Sequence, residues 1–117
     1  MRVFIWLILV GWLPLSAQPL PARFNNTNSA LDEQNPLLSP DGRTLYFTIS
    51  NHPQNAGGAK DLGDIWFATL TEQGWSDPTH GGMQINNTLH NTVAGFSADG
   101  MQLFLMGHYA APGEQVQ

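Results

Sequence analysis

Apolar and polar positions alternate with a period of two along several short stretches of the chain, the pattern of β-strands with distinct faces. From Thr44 to Ser50, Leu45, Phe47 and Ile49 fall on one side and Tyr46, Thr48 and Ser50 on the other. From Asp64 to Leu70, Ile65 and Phe67 share one face while Trp66, Ala68 and Leu70 share the opposite one. Both faces are apolar, so that strand must be covered on both sides. The same holds for Gln102 to Met106, where Leu103 and Leu105 oppose Phe104 and Met106. Leu37-Leu38-Ser39 reads as a shorter strand, and Trp75-Ser76-Asp77-Pro78 as an outer one whose proline suits an edge. Beyond the apolar run Val3–Leu13, no segment sustains a helical period, which makes the chain past its N-terminal run all-β.

Two of these strands follow the same turn. Leu38-Ser39-Pro40-Asp41-Gly42-Arg43-Thr44-Leu45-Tyr46-Phe47 returns in imperfect form as Phe96-Ser97-Ala98-Asp99-Gly100-Met101-Gln102-Leu103-Phe104-Leu105, displaced by 58 residues. Ser39 and Ser97, Asp41 and Asp99, Gly42 and Gly100, and Leu45 and Leu103 are identical, and a constant offset marks a structural repeat. Asp-Gly suits a tight hairpin because glycine accepts a positive φ and the aspartate side chain bonds the backbone two residues on. Asp41, Gly42, Asp99 and Gly100 are therefore structural turn residues. The thirteen residues Asn51–Gly63 hold His52, Pro53, Gly57, Gly58 and Gly63 between two strands. A connection that long suits binding. Removal of Gln54–Lys60 is expected to spare folding and impair partner binding.

Charge and the chain ends narrow the class. Arg2, the run Val3–Leu13, Pro14 and Leu15-Ser16-Ala17 have the order of a cleavable secretory signal over residues 1–17, with a retained anchor as the alternative. That run falls short of the roughly 20 residues a bilayer span needs, and no second hydrophobic segment follows. Residues 18–30, rich in Pro and Asn, read as a linker or extended arm. Without cysteine there is no disulfide framework and no lipidated cysteine. After residue 17 only Arg23, Arg43 and Lys60 face nine carboxylates, too few cations to track a phosphate backbone, which excludes nucleic acid as a partner.

Candidate chemistry is sparse. Gly95-Phe96-Ser97-Ala98-Asp99 comes within one residue of a G-x-S-x-G nucleophile elbow, but a strand follows it where a helix is required. His52, His80, His90 and His108 lack the close spacing of a zinc site and read as solvated loop residues. Asp61 and Asp64 flank Leu62-Gly63 without a full cation-loop pattern, and Asp64 reads as ordering the loop before its strand. Trp66 reads as core and Trp75 as the more exposed tryptophan, a surface for stacking. Asn25-Asn26-Thr27 and Asn86-Asn87-Thr88 match the glycosylation pattern on paper. No catalytic, cofactor-binding or metal-binding residue is assigned, and the candidate binding residues are His52, Asn55, Lys60, Asp61 and Trp75.

Strand, Asp-Gly hairpin, strand, Gly57-Gly58 loop, Asp64-Ile65-Trp66 strand and then Trp75 with Pro78 resembles the β-propeller repeat of the TolB-like, WD-repeat-like (PD-type) family of bacterial envelope proteins. Ile85-Asn86-Asn87-Thr88 resembles the connection between blades in relatives that carry an OmpA-like peptidoglycan-binding domain. The likeness covers about residues 31–107. It departs at Ala98 and Ala94, where prolines are expected, and at Asn91, which stands where the first copy has Glu33. The resemblance implies a partial propeller: a first four-stranded blade over 31–78, an inter-blade connection over 79–91 and a truncated second blade over 92–117. Propellers close with about 4 to 8 blades. The chain is therefore expected to be a fragment of a longer protein and to fold poorly as a monomer, with the faces bearing Trp66, Phe104 and Met106 uncovered. The implied function is a non-enzymatic scaffold in the periplasm or at the outer membrane, without cofactor, binding envelope proteins or peptidoglycan-associated components. The alternative is the propeller portion of a serine peptidase or other hydrolase whose catalytic domain lies elsewhere.

Overall fold

A computed structural model of the protein describes residues 26–111. The expected signal over 1–17, residues 18–25 of the expected arm and residues 112–117 lie outside the described residues. The architecture is all-β: strands β1 (Asp32–Leu38), β2 (Thr44–Ser50), β3 (Asp64–Thr71), β4 (Gly74–Trp75), β5 (Thr79–His80), β6 (Asn91–Phe96) and β7 (Leu103–Gly107) form a curled five-stranded sheet and a separate two-stranded one.

The first sheet is an antiparallel meander. β1 pairs β2 from Leu38↔Leu45 to Asp32↔Ser50, and β2 pairs β3 from Thr44↔Thr69 to Ile49↔Asp64. β1 is longer than the expected Leu37-Leu38-Ser39. Its polar half joins the ladder because a bulge between Gln34 and Leu37 accommodates Pro36, which has no N–H to donate, with Asn35 at φ 51°. The expected outer strand Trp75–Pro78 is also revised. β4 and β5 lie on the same edge of β3, through Leu70↔Trp75 and Trp66↔His80, and Ser76–Pro78 interrupts them. Across that gap the Ser76 N–H donates to Thr69 O (2.9 Å), and the Thr69 N–H donates to Ser76 Oγ (3.0 Å). The hydroxyl does the work of a ladder carbonyl, so the first sheet runs to His80 and not to Pro78.

The two turns repeat their hydrogen bonds as well as their residues. Ser39 Oγ donates to Asp41 Oδ1 and Ser97 Oγ to Asp99 Oδ1, each at 2.6 Å. Arg43 N–H and Met101 N–H donate to those same carboxylates at 3.0 Å. Gly42 and Gly100 take φ 71° and 72°, a left-handed conformation that side chains avoid. The first strand of the second pair is bulged too, between Val93 and Gly95. The turns lie side by side: a Cβ on Gly100 would come within 3.1 Å of Pro40 Cγ.

Both faces of β3 are buried, by different partners. Phe47, Ile49, Trp66, Ala68 and Trp75 form the core on one face, with Leu31, Leu45 and Leu70 packed against it. Trp66, expected to lie uncovered, is 3% exposed: Trp75 of the same sheet shares its core cluster, and Leu31, just before β1, packs against it. On the other face β6 packs against β1, β2 and β3. There Tyr46 meets Phe96 edge-on at 6.0 Å, and Thr48 Oγ1 donates to Asn91 O at 3.2 Å. The 79–91 connection is pinned by Asn86, whose amide accepts from Ile65 N–H (2.6 Å) and donates to Ile65 O (2.9 Å). Past β7, Tyr109 Oη donates to Ile85 O, and Asn87 Nδ2 donates to His108 O. Phe104 and Met106 remain exposed, as expected.

The Ser39 hydroxyl, then the Arg43 N–H, hold the Asp41 carboxyl below its ordinary value; Ser97 and Met101 do the same for Asp99. A lowered native pKa contributes stability that is present above the unfolded value of about 3.9 and lost as pH falls through the native one. Asp41→Asn with Asp99→Asn should therefore flatten the acid limb of a stability-versus-pH curve, read from urea midpoints below about pH 4. An unchanged slope would show that the turn carboxylates do not contribute.

Candidate functional site at the 51–63 loop

The loop between β2 and β3 is built from inward-facing polar side chains. Asn55 is buried, donates through Nδ2 to Ile49 O (2.8 Å) and accepts the Trp66 indole N–H at 2.9 Å. A single 3-10 turn over Gly58–Lys60 follows. Asp61, also buried, accepts Gly57 N–H (2.8 Å) and Gly63 N–H (2.9 Å), so one carboxylate ties both ends of that turn. Gly57 has to be small: a Cβ there would stand 2.9 Å from Asp61 Oδ2.

Asp64 closes the loop at the start of β3. Its Oδ2 accepts Ala56 N–H and His80 Nε2–H, both at 2.6 Å. The Gly82 N–H donates to His80 Nδ1 (3.1 Å), which assigns the hydrogen to Nε2. His80 also stands edge-on to Trp66 at 5.1 Å, and His52 lies on Trp66 at 4.2 Å, with its Nδ1 accepting Gln54 N–H. Among the described residues Asp64 Oδ1 and Asn91 Nδ2 are buried with no hydrogen-bond partner, each at a cost of about 1–3 kcal/mol.

These bonds sort the sequence candidates. Asn55 and Asp61 are internal braces, His52 is half-buried on Trp66, and Lys60 is exposed. Trp75, expected at the surface, is 8% exposed and pairs with Leu70 at the far end of β3, so it joins the core and not this loop. Three features escaped the sequence: exposed Leu62, the Asp64–His80 pair and the Asn86 clamp. His80 is not a solvated loop histidine; it lies in β5, and only the register Trp66↔His80 brings it to Asp64.

No protein family, curated protein or solved structure matches the chain. The chemistry therefore rests on the geometry. Both nitrogens of His80 are engaged, Asp61 is occupied by amides, and Ser97 bonds Asp99 inside a hairpin turn where a nucleophile elbow would need a helix. Asn86, the acceptor residue of the second glycosylation pattern, is buried with both amide atoms on Ile65, while Asn25 lies outside the described residues. Among the described residues no group of three or more His, Cys, Asp or Glu could hold a metal ion. What the loop offers outward is a fixed surface carrying Lys60, Leu62 and the edge of His52.

The same braces revise the expectation that Gln54–Lys60 can be removed without harm, since Asn55 lies within that span. Asn55→Ala leaves the Trp66 N–H and Ile49 O without these partners and should cost about 1–3 kcal/mol, whereas Lys60→Ala should stay within about 0.5 kcal/mol. Urea denaturation of the two variants checks the contrast, and equal stabilities would mean the Asn55 bonds do not brace the loop.

Proposed function

We propose that this chain is an exported, non-enzymatic binding module of propeller-type repeats that holds a protein or peptidoglycan-associated component of a bacterial envelope. The observation that carries the reading is the pair of Ser-x-Asp-Gly turns with matching hydrogen bonds, set side by side in adjoining sheets. A five-stranded sheet in which β4 and β5 share the fourth position, beside the opening hairpin of a second sheet, is an arrangement two neighbouring blades would have. The binding surface is the outer side of the 51–63 loop. Its carboxylates are consumed in bracing, so Lys60 supplies the outward charge and Leu62, 68% exposed, the apolar contact. A braced loop loses little conformational freedom on binding, which favours recognition. The 1–17 segment supplies export.

Lys60→Glu combined with Leu62→Ser should leave the urea midpoint unchanged, because neither side chain is buried. The same variant should reduce retention on purified peptidoglycan sacculi, or cross-linking to their associated proteins, by about tenfold or more, as loss of about 1.4 kcal/mol does. Equal retention would remove the loop from the proposed role.

A further inference from the structure

We propose that each Ser-x-Asp-Gly turn guards its own Asp-Gly bond against isomerisation to isoaspartate, with Ser39 and Ser97 as the guarding residues. The inference concerns the turns alone and does not depend on the 51–63 loop as a binding surface. Asp41-Gly42 and Asp99-Gly100 are the two places in the sequence where an aspartate precedes a glycine, and no asparagine precedes one. Asp-Gly is prone to this reaction because glycine has no side chain to shield its nitrogen. No enzyme is needed. The glycine nitrogen attacks the aspartate Cγ, an N–Cγ bond forms, and the carboxyl hydroxyl leaves with the amide proton as water. Water then opens the resulting succinimide ring at either carbonyl. Opening at the original main-chain carbonyl leaves the backbone running through the aspartate side chain, one carbon longer and with no net change in mass.

The turns require this labile dipeptide. Gly42 and Gly100 stand at φ 71° and 72°, where any side chain is strained, so a bulkier residue that would shield the nitrogen does not suit the turn. Both aspartates are exposed to water. Protection is left to the hydrogen bonds, which oppose each requirement of ring closure. The attacking nitrogen is held: Gly42 N–H donates to Ser39 O at 2.8 Å, and Gly100 N–H to Ser97 O at 2.9 Å. The attacked carbon is held as well. Asp41 Oδ1 accepts Ser39 Oγ–H and Arg43 N–H, and Asp99 Oδ1 accepts Ser97 Oγ–H and Met101 N–H, so Cγ reaches the glycine nitrogen only by giving up both bonds. Those donors also favour the ionised carboxylate, which has no hydroxyl to expel as water. Both carboxyls accordingly lie below their ordinary value, through the serine hydroxyl first and the backbone N–H next.

The serine hydroxyl joins these parts. Ser39 Oγ accepts Thr44 N–H at 2.9 Å, and Ser97 Oγ accepts Gln102 N–H at 3.0 Å. The strand that follows each turn therefore fills the hydroxyl's acceptor side and leaves its hydrogen directed at the aspartate. The two copies differ where only the backbone is used: Pro40 against Ala98, and Arg43 against Met101, which supplies the same N–H. They agree at the serine, the aspartate and the glycine, the three residues whose side chains, or lack of one, the protection uses.

Each turn serves as the other's control. The full chain, unaltered or carrying Ser39→Ala or Ser97→Ala, is incubated at about pH 5, where an unperturbed aspartate of pKa about 3.9 is still protonated in part. Isoaspartate at residues 41 and 99 is then measured separately by chromatography of the proteolytic peptides, beside the unaltered chain unfolded in urea. Both turns of the folded chain should isomerise about tenfold or more slowly than the same residues in urea. Ser39→Ala should speed the reaction at residue 41 several-fold and leave residue 99 at its unaltered rate, and Ser97→Ala should do the reverse. Equal rates in the folded and unfolded chains would overturn the proposal. So would no rise at the altered turn, which would assign the protection to the backbone alone. A rise at both turns in a variant with an unchanged circular dichroism spectrum would overturn it too, by assigning the protection to overall stability.

Discussion

Strand β3 has to be buried on both faces, and much of the molecule follows from that requirement. Ile65 and Phe67 on one side and Trp66, Ala68 and Leu70 on the other leave no orientation in which one layer suffices. The first sheet closes the Trp66 face with Phe47, Ile49 and Trp75. The second face is closed by β6, which is why the β6–β7 hairpin packs on the meander instead of extending it. Burying one aliphatic side chain contributes about 1.5–3 kcal/mol, so covering Ile65 and Val93 supplies several kcal/mol of a small domain's total of about 5–15 kcal/mol.

Polar groups decide where that second layer sits. Apolar burial has no direction, so the register between the sheets comes from Asn86 on Ile65, Thr48 on the Asn91 carbonyl and Asn35 Nδ2 on Thr92 Oγ1. Asn86, Thr48, Asn91 and Thr92 are buried, so these groups would be costly to leave unpaired, whereas Asn35 reaches Thr92 from an exposed position. The same economy shapes the 51–63 loop, whose Asn55, Asp61 and Asp64 all point inward. A loop held in this way is a stable surface, braced from inside by its own acids and the adjoining histidine.

What could be read from the residues was what depends on near neighbours. Asp41-Gly42 and Asp99-Gly100 declare their turns because the bonds that make them span two residues, and the alternation in Thr44–Ser50 and Asp64–Leu70 gives their faces directly. The rest depends on partners that one stretch cannot name. Asp32–Pro36 looks like loop until β2 supplies its ladder and a bulge absorbs the proline. Trp75 looks exposed in a short polar stretch, yet its pairing with Leu70 carries it into the core. Asp64 and His80 meet only through the register of β3 with β5, and no spacing rule links residues sixteen positions apart.

Because β3 is the shared wall, the two sheets should open together. Native-state hydrogen exchange on the intact chain and on Asn86→Ala measures this directly. Loss of the Asn86 bonds, about 1–3 kcal/mol, should speed exchange of the slowest amides in β2–β3 and in β6–β7 by a common factor of roughly 5 to 150. If β6–β7 amides lose protection while those of β2–β3 keep theirs, the sheets fold separately and β3 does not depend on its second cover.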